Sequence, residues 1–166
     1  MHEHEPGTFL AGVAGLIRNR DGAYLMMKRV AERDFGGDVW ECVTGRVNQG
    51  EGFEEALHRE VAEETGLRVT IDFIVGLTHF YRGEAIPQNE LQGATFCCSI
   101  AGDETVAADA EHSEFRWMRA DEAIAFLTAE DAGTRWFRRT IMRAEGLLRT
   151  VTAGWIDIHK DGVTIE

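Results

Sequence analysis

The sequence predicts an α/β fold, a mixed β-sheet held between helices. Two observations lead there. Short apolar runs rich in β-branched residues surround one amphipathic helix near residue 53, and the last third of the chain turns helical. The chain has 166 residues, 44% of them hydrophobic, which suits one domain with a sizeable core. Two prolines leave no candidate for a rigid linker. A single domain over residues 1–166 is therefore expected, with residues 1–8 as a tail and 150–166 as a C-terminal hairpin.

Leu10 to Ile17 is apolar with small residues interspersed and reads as a buried strand. Asn19-Arg20-Asp21-Gly22 supplies turn chemistry, and Tyr24 to Met27 continues as the partner strand of a hairpin. Lys28 and Arg29 follow, then a polar loop with Arg33 and Gly36-Gly37. The planar guanidinium of Arg29 suits phosphate oxygens. Trp40 to Thr44 is a short strand that feeds a glycine loop.

The central helix starts near Gly52. Glu54 and Glu55 in its first turn suit the helix dipole, and Gly66 ends it. Arg68 to Val75 is a strand, which Thr78 to Tyr81 extends or follows with another. Arg82 to Gln92, with Gly83 and Pro87, is a loop able to shape a pocket. Ala94 to Ile100 is a strand, Asp103 to Ala110 an acidic connection, and Phe115 to Met118 a short strand. Asp121, as N-cap, opens a short helix to Leu127. Thr134 to Leu148 is longer and packs through Trp136, Phe137, Ile141 and Leu148. Asp161-Gly162 between Trp155–Ile158 and Val163–Ile165 is a hairpin signal.

The formal net charge is −12, which argues against nucleic-acid polymers and anionic membranes as partners. It leaves room for a small phosphorylated substrate, because a bound cation can invert the local charge. No apolar run approaches the ~20 residues that span a bilayer. The N-terminus MHEHEPGTF lacks the pattern of a secretory signal, so a cytoplasmic location is expected. Cys42, Cys97 and Cys98 lie in apolar runs and read as buried reduced thiols.

Three acids at the end of the central helix stand out. Glu60 lies three and four residues from Glu63 and Glu64, so the three share a face and repel one another. With Phe53 at zero, the buried stripe holds Leu57 near ~40° and Val61 near ~80°, while Glu64 falls near ~20°, Glu60 near ~340° and Glu63 near ~280°. A solvated acidic face would oppose the core; these acids lie on and beside it. Buried charges are paired or bind metal, and a divalent cation is the natural counter-charge for clustered carboxylates.

The stretch Gly45 to Leu67, GRVNQGEGFEEALHREVAEETGL, resembles the Nudix box, G-x5-E-x7-R-E-U-x-E-E-x-G-U with U bulky and apolar. Gly45, Glu51, Arg59, Glu60, Val61, Glu63, Glu64, Gly66 and Leu67 fill every specified position. The resemblance implies a Nudix hydrolase with an α/β/α sandwich, cutting a pyrophosphate linkage in a nucleoside diphosphate derivative with the help of magnesium or manganese. It implies Glu60 and Glu64 as principal metal ligands, Glu63 as helper, and Arg59 orienting or neutralising a glutamate. Glu51 would tie the loop to the helix, and Gly45 would offer a backbone carbonyl. Arg29 and Arg46 are the candidate substrate contacts.

The segment Glu111-His112-Ser113-Glu114-Phe115-Arg116-Trp117 resembles the family's downstream element, which nominates Glu111 as further ligand or general base, ahead of Glu114 and His112. The W-E-C-V-T-G stretch at Trp40–Gly45, with Thr44 in place of a commoner glycine, together with Gly50-Glu51 and the Glu111-His112 pair, resembles dihydroneopterin triphosphate pyrophosphatases and related nucleoside triphosphate hydrolases. That points to a triphosphate substrate that yields monophosphate and pyrophosphate. Dinucleoside polyphosphates and nucleotide sugars stay open, as do a homodimer and a non-catalytic nucleotide-sensing module on the same fold. An isoprenoid diphosphate isomerase would need a catalytic cysteine, for which Cys42 lacks a supporting constellation. Trp40, Phe35, Phe80 and Tyr81 are candidates to stack on a base, although aromatics in strands are more often core.

Overall fold

The computed structural model describes residues 7–31, 37–107, 110–151 and 154. The expected C-terminal hairpin, most of the expected N-terminal tail, Arg33, Phe35 and Gly36 lie outside the described residues. Among the described residues seven strands form one sheet: β1 Leu10–Arg18, β2 Tyr24–Arg29, β3 Trp40–Glu41, β4 Val43–Arg46, β5 Val69–Tyr81, β6 Glu90–Ile100 and β7 His112–Met118. The helices are α1 Phe53–Thr65, α2 Ala120–Phe126 and α3 Ala132–Thr150. The sheet is mixed, because β1 lies parallel to β6 while its other pairings are antiparallel.

The predicted β1–β2 hairpin forms only at its turn. Asn19 accepts the Gly22 amide at 3.0 Å, Gly22 takes a φ of 78°, and the two strands pair at Arg18 and Tyr24. They then diverge. β4 pairs with β1 over Gly12–Gly15, and β3 pairs with β2 at Met27 and Lys28. The β3–β4 segment thus fills a wedge between two strands that neighbour in sequence. The reach of a hairpin is set by where its strands find better partners, and that information is non-local.

Side chains alternate across the sheet. Val13, Ile17, Leu25, Met27, Val43, Phe96 and Cys98 pack with Leu57 and Val61 of α1. Ala14, Leu16, Tyr24, Met26, Phe73 and Cys97 face the other way and pack with Ala123 of α2 and Phe137 and Ile141 of α3. This gives the expected three layers. Arg143 Nε donates to the Val75 carbonyl at 2.6 Å and Tyr24 Oη donates to Glu145 at 2.7 Å, which fastens α3 to the sheet.

Other differences are local. β5 runs unbroken from Val69 to Tyr81, since register shifts between Ile71 and Phe73 and between Ile74 and Gly76 absorb its irregular alternation. The Arg82–Gln92 loop contains a 3-10 turn at Pro87–Asn89, and β6 already begins at Glu90. The N-cap of α2 is Arg119, not Asp121; Asp121 sits in the first turn, and Glu122 accepts the Arg119 amide at 3.0 Å. α3 starts at Ala132, capped by Asp131, which accepts the Thr134 amide at 2.8 Å. Among the described residues no helix is long and apolar enough to cross a bilayer.

Candidate active site

The β4–α1 connection builds the site. Glu55 accepts the Gly52 amide at 2.9 Å at the start of α1, and Gly66, at φ 70°, ends the helix through its amide to the Ala62 carbonyl at 3.0 Å. The buried residues of α1 are Ala56, Leu57, Val61, Glu64 and Thr65. Glu64 therefore lies within the apolar stripe, as the wheel predicted, and Glu60 beside it keeps 14% of its side chain exposed. Glu63, on the margin, is 60% exposed. Phe53, the zero of the wheel, is exposed in the first turn.

Arg59 organises this surface. Its Nε and Nη2 donate to the two oxygens of Glu51 at 2.8 and 2.9 Å, a bidentate fork. Its Nη1 donates to Glu60 at 2.7 Å and to Glu63 at 3.2 Å, and Nη2 also reaches the Arg46 carbonyl at 2.8 Å. One guanidinium thus joins the end of β4, the loop and two helix carboxylates. The Arg59 hydrogen bonds, with the Asn48 amide at 2.9 Å, hold the Glu51 carboxyl down at about 2. Glu51 and then Glu60 push the Arg59 pKa upward in turn, so both members stay ionised.

Gly45 stands against Glu60. A Cβ on Gly45 would lie 2.0 Å from the Glu60 carboxyl carbon, so the helix carboxylate occupies the space that any side chain would take. Strand alternation turns the side chain of Arg46 to the opposite face from Glu60, and it is exposed.

The second half of the site lies where β2, β3 and β7 meet. The side chain of His112 is 1% exposed and places Nε2 3.2 Å from Glu41 Oε1. Arg29 Nη1 donates to Glu41 Oε2 at 3.4 Å, and its Nε lies 3.2 Å from Glu41 Oε1. Thr44 Oγ1 donates to Glu41 Oε2, also at 3.4 Å. Glu111, just before β7, accepts the Val30 amide through its carbonyl at 2.9 Å. Glu114 turns instead to Arg116, 2.5 Å away. Glu41 was not among the residues the sequence singled out; its charged partners, Arg29 and His112, are 12 and 71 residues distant, so no local pattern announces it.

The two halves adjoin through Cys42. Burial pushes its thiol well above the ordinary value, and the nearby charges of Glu41 and Glu64 push it further. Cys97 is raised to about 12 and Cys98 well above its usual value, both mainly by burial. All three cysteines are buried and free. Trp40 packs edge-on against Phe126 with centroids 5.2 Å apart, on the α2–α3 side of the sheet and away from the α1 acids.

The donor chemistry fits a divalent cation. Glu60 and Glu64 present hard carboxylate oxygens, Glu64 within the buried stripe and Glu60 beside it, and the bare backbone of Gly45 adjoins Glu60. Among the described residues no three His, Cys, Asp or Glu side chains are already gathered into a metal-holding group. In this structure Glu60 and Glu63 are both directed at Arg59.

A family model, the NUDIX domain, matches residues 8–141. An octanoyltransferase from Myxococcus xanthus is 32% identical over 127 residues, 76% of this chain; the chain spans only 33% of that protein's length. A nucleoside triphosphatase, NudI, from Escherichia coli is 28% identical over 121 residues, covering 69% of this chain and 84% of the relative. Among solved structures, a MutT protein from Methanosarcina mazei Go1 superposes with a TM-score of 0.66 at 25% identity, covering 86% of this chain and 99% of the other. Members of this family generally use divalent metal ions. With the family model spanning most of its length and a box whose glycine, arginine and glutamates interlock as described, the chain belongs to the Nudix hydrolase family.

Proposed function

We propose that the protein is a magnesium-dependent pyrophosphohydrolase that splits a small nucleoside triphosphate-like substrate into monophosphate and pyrophosphate. The observation that carries this reading is the Arg59 fork, which fixes Glu51, Glu60 and the β4–α1 loop in one rigid unit. A module that only sensed nucleotides would have no need of such a unit. The similarity to NudI favours a triphosphate substrate.

In this reading Glu60 and Glu64, helped by Glu63 and the Gly45 carbonyl, hold the ion; manganese would serve the same oxygen set. The bound ion would neutralise phosphate charge and lower the pKa of an attacking water. Hydrolysis of a phosphoanhydride is mostly positioning and charge neutralisation, so the remaining tasks fall to fixed side chains. Arg59 orients Glu60, and Glu51 orients Arg59. Arg29 faces the phosphate chain from the end of β2, and Arg46 contributes its carbonyl to the Arg59 lock. Glu111, next to the buried His112, takes the proton from the attacking water.

The test is release of pyrophosphate and phosphate from a panel of common triphosphates, dihydroneopterin triphosphate, ADP-ribose and diadenosine polyphosphates, with magnesium and with chelator. Magnesium-dependent turnover of a triphosphate, reduced by about 10³-fold in Glu60→Gln, is expected on the scale of losing an electrostatic group from a preorganised site. No turnover of any member by a well-folded protein that still binds nucleotide would refute the reading.

A further inference from the structure

Glu41 lies at the junction of three strands and has no role in the reading above. Its carboxylate is ringed by Arg29, His112 and Thr44 at 3.2 to 3.4 Å, and 16% of the side chain is exposed. The sheet is locally distorted to make this possible. β2 and β7 pair in simple register up to Lys28 and Glu114; the next pair would be Arg29 with Ser113, but it is Arg29 with His112. Ser113 is thus the extra residue of a bulge, and its hydroxyl donates to the Lys28 carbonyl at 3.3 Å. Bulges re-aim side chains, and this one brings the His112 imidazole to the Glu41 carboxylate that Arg29 also meets.

The backbone at Arg29 is held on both sides. Its amide donates to the Val39 carbonyl at 3.0 Å, and the Val30 amide donates to the Glu111 carbonyl at 2.9 Å. The long side chain beyond that anchor has several rotatable bonds and only Glu41 to direct it among the described hydrogen bonds and ion pairs. Arg29 Nε is buried and, although Glu41 Oε1 lies 3.2 Å away, it makes no aligned hydrogen bond among the described residues.

We propose that Glu41 is a positioning residue: it holds the Arg29 guanidinium in the orientation that meets the substrate's phosphate chain, and with His112 and Thr44 it locks β7 and the glycine loop to the same point. This rests on the phosphohydrolase reading, in which Arg29 contacts phosphate. It predicts an effect whose sign is diagnostic. Removing the carboxylate charge leaves Arg29 less neutralised, so electrostatics alone would bind a polyanionic substrate more tightly. Loss of orientation would bind it less tightly.

The test compares wild type, Glu41→Gln, Arg29→Ala and the double variant, on whichever triphosphate wild type turns over best with magnesium. Positioning predicts that Glu41→Gln raises KM about tenfold, the scale of one charge-assisted hydrogen bond. In the Arg29→Ala background the same substitution should leave KM within about twofold, since the two act as a unit. Should Glu41→Gln fail to fold, Glu41→Asp, which keeps the charge but retracts it, should raise KM in the same direction. A KM that falls or stays put, or an equal rise in both backgrounds, would overturn the proposal. A carboxylate that only stabilised the fold would lower the melting temperature and the active fraction while leaving KM unchanged. Wild-type inactivity on every triphosphate would instead sink the functional reading, and this proposal with it.

Discussion

Replacing Gly45 by alanine should separate stability from activity. The added carbon would fall 2.0 Å from the Glu60 carboxyl carbon and 2.2 Å from Glu60 Cγ and Oε1. Carbon atoms rest about 3.5–4.0 Å apart, so roughly 1.5–2 Å of movement is required. The obstacle is the far end of a flexible side chain, not backbone. Glu60 can swing aside, and the fold should lose no more than the ~1–3 kcal/mol typical of an inserted methyl group. The same swing takes the carboxylate from its 2.7 Å contact with Arg59 and from the place where it would hold the ion. A misplacement of about 1 Å near reacting groups costs on the order of 10²-fold in rate. Thermal melting followed by circular dichroism, together with kcat for magnesium-dependent pyrophosphate release, reads both quantities on one preparation. The reasoning fails if Gly45→Ala keeps kcat within about threefold of wild type, or if it unfolds the protein.

Three further outcomes follow from the same geometry. The Glu51 carboxyl is held at about 2, below its ordinary value near 4.5, so the stabilisation it gives is complete above that ordinary value and is lost as pH falls from there toward 2. Carbon-13 NMR should find Glu51 titrating near that low value in wild type and at a higher pH in Arg59→Ala, where the Asn48 amide still holds it below normal. Leu57 is fully buried between α1 and the sheet, so Leu57→Ala should cost about 2–5 kcal/mol in urea unfolding, with an unchanged slope. The three buried thiols should resist a disulfide-exchange reagent in the native protein and all react once it is unfolded, because burial holds Cys42, Cys97 and Cys98 in the protonated form.

How much of this was legible depended on sequence distance. The placement of Glu64 within the apolar stripe followed from helical periodicity alone, and the Gly66 stop followed from the left-handed conformation that glycine adopts freely. Burial of the cysteines followed from their apolar surroundings. The divergence of β1 and β2 did not, because it depends on β4 pairing with residues some thirty positions upstream. Glu41 escaped for the same reason. Its neighbours in the chain, Trp40 and Cys42, look like an ordinary strand, and its meaning appears only when β2 and β7 bring Arg29 and His112 to it. The short helix α2 was placed well but started from the wrong cap, since Asp121 carries the side chain usual at an N-cap while the backbone enters the helix two residues earlier.

The parallel pairing of β1 with β6 matters for how the chain comes into being. Leu10 lies opposite Leu91, a separation of 91 − 10 = 81 residues, and the register holds without a slip to Arg18 and Ser99. At about 5–20 residues per second of synthesis, β1 is made roughly 4–16 s before its partner. During that interval an apolar nine-residue segment, LAGVAGLIR, has no parallel neighbour. Its Gly12 and Gly15 weaken any premature strand, and the mature structure needs both, since a Cβ at Gly15 would meet Leu57 at 2.9 Å and one at Gly12 would meet Leu91 at 3.0 Å. The residues that let α1 and β6 approach β1 closely thus also delay its self-association until the second half of the sheet arrives.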